Sequence, residues 1–358
     1  MAVLKLSGVD KVYPSGSVAL YGINLQTADK EFFVVLGGEG SGKSTLLRVV
    51  SGLEDVTAGE ITVAGKDVTD EEIRDRDLAL VFRNSPVMPT MNVYENLAYG
   101  LRQRKAPEAV IERRVKAVAG ILGLNEVLYR KPKVLNAAQK LRVSIGRTVV
   151  REPKLYLFDE PLSGLDEKLS GELLSVLVNL QARMEGTFVY ATKSVSEALS
   201  AGTRIAVIKN GIIQQIDTPS NLYDYPANTY VAFLIGSPTI NFYNGAKIIK
   251  TEDGAFVEDG DFRLALSGKI IKRFEKIEEY TNTGKGVIAG VRPEDVGKDG
   301  ADPDRLYLFD AETRLSVLSR DEGYIKTRFA DADYIPPTYK EEEEIAKKYK
   351  PAKTQKKK

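Results

Sequence analysis

Residues 37–45, GGEGSGKST, constrain the fold of this chain more than any other segment. They contain the spacing of two glycines, a lysine and a serine that is typical of a phosphate-binding loop, at Gly37, Gly42, Lys43 and Ser44. Apolar runs on both sides predict a strand before the loop and a helix after it. Because glycine tolerates unusual backbone angles, the N–H groups of such a loop can turn inward around phosphate oxygens. The segment therefore predicts a site for a nucleoside triphosphate.

The chemistry of the loop side chains assigns individual roles. We expect Lys43 to reach the β- and γ-phosphates and the Ser44 hydroxyl to hold Mg²⁺. A glycine-rich turn without a ligand is the alternative, but the complete motif between a predicted strand and helix argues against it. The residues predicted to contact the nucleotide are Gly37, Gly38, Glu39, Gly40, Ser41, Gly42, Lys43, Ser44 and Thr45.

A second segment, LYLFDEP at 155–161, predicts the other half of this site. Its four leading apolar residues predict a buried strand, and Asp159 at the carboxyl end can approach a metal ion. Glu160 could orient or deprotonate an attacking water. By itself, Asp-Glu-Pro is equally compatible with an ordinary turn at the end of a strand. Together with the loop, it indicates that ATP and Mg²⁺ are the ligands.

Composition limits the class of protein. A length of 358 residues favours two domains, and 51 basic against 50 acidic residues give a net charge of +1, without the excess of positive charge expected of a nucleic-acid binder. The chain has no cysteine, which excludes disulfides, and no histidine. No stretch approaches the roughly 20 apolar residues of a membrane span, and Met1–Val12 lacks a signal-peptide pattern. We expect a soluble cytoplasmic protein.

The order of local patterns predicts two domains and a tail. Residues 1–30 alternate like strands, with turn signals at 14–16 and at Tyr21-Gly22, and 60–68 predict a hairpin. Helical spacing dominates 95–130. From about residue 237 the pattern changes to short strands. Beyond Tyr339 we expect a charged, solvated tail, although a membrane-surface anchor is the alternative.

At this point several segments resemble a known family, the ATP-binding cassette (ABC) subunits of sugar importers of the maltose and glycerol-phosphate type. The resemblance extends to about residue 315 and includes INFYNGAKI, VRPED and LYLFDAET in the C-terminal part. Its main segments are SGLEDVTAGEITVAGKDVTD at 51–70, VYENLAYGLR at 93–102 and IGRTVVREPKLYLFDEPLSGLD at 145–166.

This resemblance implies an α/β fold, a P-loop NTPase of the ABC cassette type with a RecA-like core. The cassette would occupy 1–236, with a helical subdomain at about 90–150. A small β-barrel domain of the OB/TOBE type would follow at 237–318. It looks truncated, since only Val296–Arg305 separate VRPED from LYLFD. Residues 319–358 would form the tail.

The family also implies partners and a location. Its members hydrolyse ATP as dimers on the cytoplasmic face of the cell membrane, where they dock on permease subunits served by an extracytoplasmic solute-binding protein. Two ATP molecules lie between the two cassettes, each between the phosphate loop of one subunit and the signature segment of the other. In this chain the signature aligns with Asn136, Ala137, Ala138 and Gln139, the adenine-stacking aromatic with Tyr13, and the dimer-spanning aspartate with Asp166.

Three positions depart from the family pattern. Arg83 replaces a glutamine whose carbonyl oxygen serves Mg²⁺ or the attacking water, and arginine has donors only. Lys193 replaces the switch histidine; it can reach a γ-phosphate as a point charge but cannot accept a hydrogen bond. In the signature, Ala137 and Ala138 add Cβ atoms where the family has glycines, while Asn136 could supply a donor in place of serine. These changes predict that ATP binding is retained and hydrolysis is weakened.

The departures suggest a hypothesis about assembly. In a homodimer, both composite ATP sites would contain all three departures from the family pattern. With a paralogue that has the complete pattern as partner, the departures would be divided between the two sites. We therefore expect the impaired half of a heterodimer that imports a carbohydrate, polyol or glycerol-phosphate-like solute. The alternatives are a competent homodimeric importer ATPase, with Arg83 and Lys193 tolerated because Glu160 remains, and a regulatory ATP-binding subunit without a permease.

The segment 84–101 carries a separate prediction about docking. In the resembling family this stretch forms the groove that accepts a permease coupling helix. Here Pro86, Val87, Met88 and Met91 offer apolar contacts, and methionine suits an adaptable surface. Simple core packing of these residues is the alternative.

Overall fold

The computed structural model describes residues 3–82, 86–260, 262–297, 300–324 and 336–348. These divide into two compact units, Met1–Ile212 and Ile213–Lys358. Arg83 and the first two residues of the predicted docking segment lie outside the described residues. The domain limits predicted from the sequence stay predictions.

The first unit combines an antiparallel sheet, a parallel sheet and helices. Its strands are β1 (Leu4–Val12), β2 (Val18–Gln26), β3 (Phe32–Leu36), β4 (Ala58–Val63), β5 (Lys66–Asp67), β6 (Leu78–Phe82), β7 (Leu155–Asp159), β8 (Thr187–Thr192) and β9 (Arg204–Lys209). Its helices are α1 (Lys43–Ser51), α2 (Val93–Gln103), α3 (Glu108–Ile121), α4 (Ala137–Val149), α5 (Glu167–Met184) and α6 (Val195–Ala201). Short 3₁₀ turns lie at Ile73–Asp75, Asn125–Val127 and Pro132–Val134.

The parallel sheet forms the core that positions the site. Within this unit its strand order is β9-β3-β8-β7-β6. Strands β3, β7 and β8 are buried at every position, as expected for a sheet covered on both faces. Rings from neighbouring strands pack in tilted geometry, with Phe158 5.0 Å and Phe32 5.7 Å from Phe188 between centroids. This packing holds the strands in register up to their carboxyl ends.

The antiparallel sheet, with the order β2-β1-β4-β5, corrects one prediction. The hairpin around Ala64-Gly65 is present between β4 and β5. Tyr21-Gly22, however, lies inside β2 and is not a turn. The pairing of β1 with β2 shifts register on either side of Val9, and Gly22 has φ 56°. The glycine therefore accommodates an irregularity of the strand, which a turn signal in the sequence does not distinguish from a loop.

The second unit begins inside a strand and contains a separate sheet. Its strands are β10 (Ile212–Asp217), β11 (Asn241–Thr251), β12 (Gly254–Asp259), β13 (Phe262–Ala265), β14 (Gly286–Val291), β15 (Val296–Gly297), β16 (Gly300–Ala301) and β17 (Tyr307–Asp310). Its helices are α7 (Pro219–Asp224), α8 (Thr229–Leu234), α9 (Gly268–Arg273), α10 (Ile277–Thr283) and α11 (Tyr339–Lys348), with a 3₁₀ turn at Pro293–Asp295. The larger sheet has the order β13-β12-β11-β14-β17.

Three features of this unit differ from the expectation of strands followed by a solvated tail. Helices α9 and α10 pack Ile270, Phe274 and Tyr280 into its core. In the described part of the shortened stretch before β17, β15 and β16 are strands of two residues each. Within the expected tail, Tyr339–Lys348 form α11, where Glu342 is buried and accepts a 2.8 Å hydrogen bond from Gln214. Most of the described side chains of α11 are exposed, as their charge predicts, and Glu342 is an exception.

The arginine of VRPED is a structural residue of the second unit. Arg292 is fully buried and donates hydrogen bonds to the carbonyls of Ile235, at 2.7 Å, and Tyr223, at 2.9 Å. Its guanidinium also lies 3.7 Å from the centroid of the Tyr223 ring. One buried cation thereby fastens the ends of β14, α7 and α8. In the described part of the chain, no helix is both long and apolar enough to cross a bilayer.

Candidate nucleotide-binding site

The predicted catalytic residues follow strands that end side by side. Leu36 of β3 pairs with Thr192 of β8, Ala191 of β8 pairs with Asp159 of β7, and Asp159 pairs with Phe82 of β6. Because these strands are parallel, the segments after their carboxyl ends emerge at one edge of the sheet, where α/β proteins bind ligands. The phosphate loop, Glu160 and Lys193 therefore share this edge.

The phosphate loop is a cradle that only glycines can form at two positions. A Cβ atom on Gly37 would lie 2.4 Å from the carbonyl oxygen of Ile208. Gly42, the residue before α1, has φ 104°, and its Cβ would lie 2.6 Å from the carbonyl oxygen of Ala19. Because both residues lack a side chain, the loop backbone lies close to the sheet. The N-terminus of α1 is then open to the loop. Such an arrangement fits phosphate binding.

Lys43 is held within this loop. Its ammonium group is buried and donates to the carbonyls of Gly37 and Gly38, at 2.8 and 2.7 Å. Glu160 Oε1 lies 3.4 Å from the same nitrogen. These contacts place the positive charge between the loop and the strand that carries Asp159, where a phosphate chain would lie.

Ser44 and Asp159 form a pair of oxygen ligands suited to Mg²⁺. The Ser44 hydroxyl donates a 2.8 Å hydrogen bond to Asp159 Oδ1. Burial raises the pKa of Asp159, the charge of Glu160 acts in the same direction, and the Ser44 hydrogen bond opposes the shift. Among the described residues no cluster of three acidic side chains could hold a metal alone. This donor set fits Mg²⁺, which commonly takes one or two protein oxygens together with substrate phosphates.

Glu160 has an unusual backbone conformation. Its φ of 45° lies in the left-handed region, which non-glycine residues rarely adopt, and its N–H donates to the carbonyl of Ala191 at 3.0 Å. Strained backbone of this kind concentrates at functional sites. The Glu160 side chain is largely shielded from solvent. Its carboxylate faces Lys43 and thus the phosphate loop.

Lys193 lies at the same edge on a well-supported turn. Thr192 donates to Glu197 Oε2 at 2.6 Å and accepts from the N–H of Ser194 at 3.0 Å, which orders the backbone on both sides of the lysine. The Lys193 ammonium contacts Glu39 Oε1 of the phosphate loop at 2.5 Å. The structure thus brings Lys193 and the loop together.

Tyr13 also reaches the loop region. Its hydroxyl lies 3.4 Å from Thr45 Oγ1 in the first turn of α1, and the Lys11 ammonium lies 5.2 Å from its ring centroid. An aromatic ring at this position is suited to stack on a base whose phosphates occupy the cradle.

The signature residues and Asp166 lie at the N-termini of two helices. Asn136 caps α4: its side chain accepts from the N–H of Gln139 at 2.8 Å, and the Gln139 side chain accepts from the N–H of Asn136 at 3.1 Å. Asp166 caps α5 by accepting from the N–H of Leu169 at 3.0 Å. In the described part of the chain neither residue has a hydrogen bond or ion pair to residues 37–45. Their roles as nucleotide contacts stay predictions.

The predicted docking segment contains a residue that sequence reasoning missed. Asn96 is fully buried, and its amide group bonds the carbonyls of Met88, Met91 and Asn92 at 2.9 to 3.1 Å. It also accepts from the N–H of Met88 at 2.8 Å. The sequence shows only that Asn96 lies four residues after Asn92; the burial that requires its amide group to be hydrogen-bonded is seen in the structure.

Two other positioning residues, Arg147 and Glu197, were also missed. Arg147 of α4 donates to the carbonyl of Pro86 at 2.5 Å, which ties the docking segment to α4. Glu197 holds Thr192, as described above, and also accepts from the Tyr190 hydroxyl at 2.8 Å. None of these contacts follows a motif spacing.

Comparisons with known proteins agree with this geometry. Residues 20–163 match the ABC transporter family, and residues 236–296 match the MalK OB fold domain. The oligosaccharides import ATP-binding protein MsmX of Bacillus subtilis (strain 168) is 44% identical over 297 residues, 83% of this chain and 79% of that protein. The trehalose/maltose import ATP-binding protein MalK of Thermococcus litoralis is 44% identical over 303 residues, with the same coverages of 83% and 79%.

Solved structures support the fold. The cbiO1 protein from Clostridium perfringens, part of the ABC transporter complex cbiONQ, has a TM-score of 0.59 and 28% identity, covering 62% of this chain and 90% of its own. A dimeric ATP-binding cassette, MJ0796, in a post-hydrolysis state with ADP and Pi has a TM-score of 0.54 and 26% identity, covering 60% and 98%. The expected P-loop cassette with a C-terminal OB-type domain is confirmed. The chain therefore belongs to the family of ABC transporter ATP-binding proteins that carry a MalK-type OB-fold domain.

Proposed function

We propose that this chain binds ATP with Mg²⁺ and energises the import of a carbohydrate or a related polyol or glycerol-phosphate-like solute. The observation that carries the proposal is the edge of the parallel sheet, where the phosphate loop, Asp159, Glu160 and Lys193 converge. The names of the relatives MsmX and MalK point to oligosaccharides, trehalose and maltose as the class of transported solute.

Each part of the site has a separate task. The loop N–H groups and Lys43 bind the phosphate chain, and Ser44 with Asp159 hold Mg²⁺, which when bound neutralises charge on the β- and γ-phosphate oxygens. Glu160 orients a water molecule and accepts its proton. Tyr13 stacks on adenine. In a dimer, Asn136, Ala137, Ala138, Gln139 and Asp166 contact the nucleotide of the partner subunit.

The docking surface for a permease is the groove between α2 and α4. It has a volume of about 490 Å³ and includes Pro86, Tyr99, Arg104, Arg147 and Arg151 in its lining. None of the described lining residues is acidic. Burial lowers the pKa values of Arg147 and Arg151, because both guanidinium groups are partly withdrawn from water. A coupling segment that contributes a carboxylate would relieve this cost, and the chain would then lie at the cytoplasmic face of the membrane.

The departures at the site support an impaired subunit in a heterodimer. Lys193 supplies a charge without an acceptor, and Ala137 and Ala138 place side chains in the first turn of α4 where bare backbone would approach a phosphate. Arg83, outside the described residues, replaces a glutamine oxygen with donors. With a complete paralogue, one composite site would contain the glutamine and histidine of that partner.

Nucleotide binding and turnover by the purified chain test the proposal. We expect ATP to bind in a Mg²⁺-dependent manner with turnover far below that of importer ATPases, and turnover to rise when the partner ATPase subunit and permease are co-expressed. Robust turnover by the chain alone, abolished by Glu160→Gln, would establish the homodimer instead. If ATP binds but no integral-membrane permease co-purifies, a regulatory ATP-binding subunit is the better conclusion.

A further inference from the structure

The phosphate loop of this chain contains an acidic residue, and the structure pairs it with Lys193. Glu39 occupies the third position of the loop, and its side chain is exposed. Its Oε1 atom lies 2.5 Å from the Lys193 ammonium, 154 positions away in the sequence. The Glu39 side chain is 80% exposed and the Lys193 side chain is 46% exposed, so the ion pair is in contact with solvent.

Such a pair is suited to exchange of partners. An ion pair between exposed side chains is weak, since water and salt screen it and both side chains lose rotamer freedom. A terminal phosphate carries more charge and several acceptor oxygens, so it is the stronger partner for an ammonium. The backbone of Lys193 is ordered by Thr192 and Ser194, and an exchange therefore requires movement of the side chain only.

We propose that Lys193 leaves Glu39 for the γ-phosphate of ATP, so that Glu39 is a residue that sets the preference between ATP and ADP. ADP has no γ-phosphate, and the Glu39–Lys193 pair persists when ADP is bound. When ATP is bound, the pair is broken, and the Glu39 carboxylate loses its contact with the ammonium. The proposal rests on the nucleotide site proposed above and assigns its selectivity to two residues of this chain.

A double-mutant cycle with Glu39→Gln and Lys193→Met tests the exchange. The affinities of the full-length chain for Mg·ATP and Mg·ADP are measured by displacement of a fluorescent nucleotide, in a Glu160→Gln background that keeps ATP intact. Glu39→Gln should tighten ATP binding by up to about fivefold, the upper range for exposed ion pairs, and change ADP binding much less. Lys193→Met should weaken ATP binding more than ADP binding.

The decisive result is additivity. The two substitutions should be non-additive for ATP, because binding breaks their contact, and additive for ADP, because the contact is present before and after binding. Equal non-additivity for both nucleotides, or additivity for both, would overturn the exchange. The matched control is Glu185→Gln, which removes another exposed pair, Lys30–Glu185 at 2.7 Å, and should leave both affinities unchanged.

The same titration separates this inference from the proposed function. If the unsubstituted chain binds neither nucleotide, the nucleotide site itself is wrong and the exchange is wrong with it. If both nucleotides bind and the cycle lacks the expected difference, only the exchange is overturned.

Discussion

Ser44 and Asp159 are separated by 115 positions in the sequence, yet the serine hydroxyl donates a 2.8 Å hydrogen bond to the aspartate. The serine lies in the first turn of α1, and the aspartate ends β7, which is two strands away from β3 in the sheet. The contact joins the phosphate loop and the Asp159-Glu160 strand end into one site.

Asp159→Asn should stabilise the nucleotide-free chain and abolish the contribution of Mg²⁺ to nucleotide affinity. Because burial raises the pKa of Asp159 above 3.8, the folded chain retains this proton at a pH where the unfolded chain has lost it. The ionised carboxylate therefore lowers the stability of the fold at neutral pH. Thermal unfolding without nucleotide and ATP titrations with and without Mg²⁺ measure the two effects.

The pH dependence provides a control for that prediction. As the pH falls through the raised pKa of Asp159, the carboxyl group of the unsubstituted chain becomes protonated. The destabilising effect of the ionised carboxylate on the fold then disappears. The difference in Tm between the two proteins should therefore shrink toward pH 3.8, the ordinary value for this group. A difference that does not change with pH would mean that the substitution acts through packing.

Glu160→Gln should reduce ATP turnover by about 10²–10⁴-fold, the usual contribution of a general base, while ATP still binds. The substitution keeps the shape of the side chain and its carbonyl oxygen, so the contact with Lys43 becomes weaker without a loss of volume. Turnover should be measured with the purified chain alone, because in the complex the site on the partner's phosphate loop would hydrolyse ATP without Glu160. Unchanged turnover would assign the base to another residue.

Replacement of Asn136 and Ala137 by the serine and glycine of the family signature should raise ATP turnover. Asn136→Ser preserves a good cap for α4, because serine is among the preferred residues at this position. Ala137→Gly, added to it, removes a Cβ atom at a cost of about 1 kcal/mol in the first helical turn. We expect the double substitution to increase the turnover of the assembled dimer severalfold, and the serine alone to serve as the control for capping. Turnover that stays at the original level contradicts a role for these positions.

Asn96→Ala should weaken permease docking without loss of ATP binding. It removes the side chain that bonds the carbonyls of Met88 and Met91, and leaving such buried groups without partners costs about 1–3 kcal/mol. Co-purification with the permease measures the first effect and a nucleotide titration the second. Asn92→Ser, which keeps the cap of α2, should preserve both. Equal losses of docking and nucleotide binding would indicate a general folding defect.

A final prediction concerns the stability of the sheet. Arg204 forms two hydrogen bonds to the carboxylate of Glu31, at 2.8 and 2.9 Å, and both side chains are almost completely buried. Arg204→Met leaves that carboxylate buried without its partner and should lower the free energy of unfolding by about 3–5 kcal/mol. Glu185→Gln, at an exposed ion pair, should have no measurable effect in denaturant unfolding. Similar midpoints for both variants would show that the buried pair contributes little.

Local motifs were sufficient for the fold class and for the centre of the site. Residues 37–45 contain their own loop geometry, since the required backbone angles belong to glycines adjacent in the chain. Asp159 and Glu160 were identified from a buried strand followed by acidic residues. By contrast, Tyr21-Gly22 was wrong as a turn, because the same glycine signal accompanies an irregular strand.

The C-terminal segment shows the opposite limit. Its charge predicts exposure, which most described side chains of α11 show, but Glu342 is buried against Gln214. A buried carboxylate is stable only where a hydrogen-bond donor lies within reach. Neither the composition nor the residue spacing of the segment indicates that donor.

The sequence by itself determined that this chain carries a phosphate loop, an Asp159-Glu160 strand end and three departures from the family pattern, because each is a property of neighbouring residues. Only the tertiary structure decided that Ser44 contacts Asp159 and that Glu39 contacts Lys193. The physical reason is the register of the parallel sheet: side-by-side strand ends bring together residues more than a hundred positions apart, and the sequence contains no local signal of that alignment.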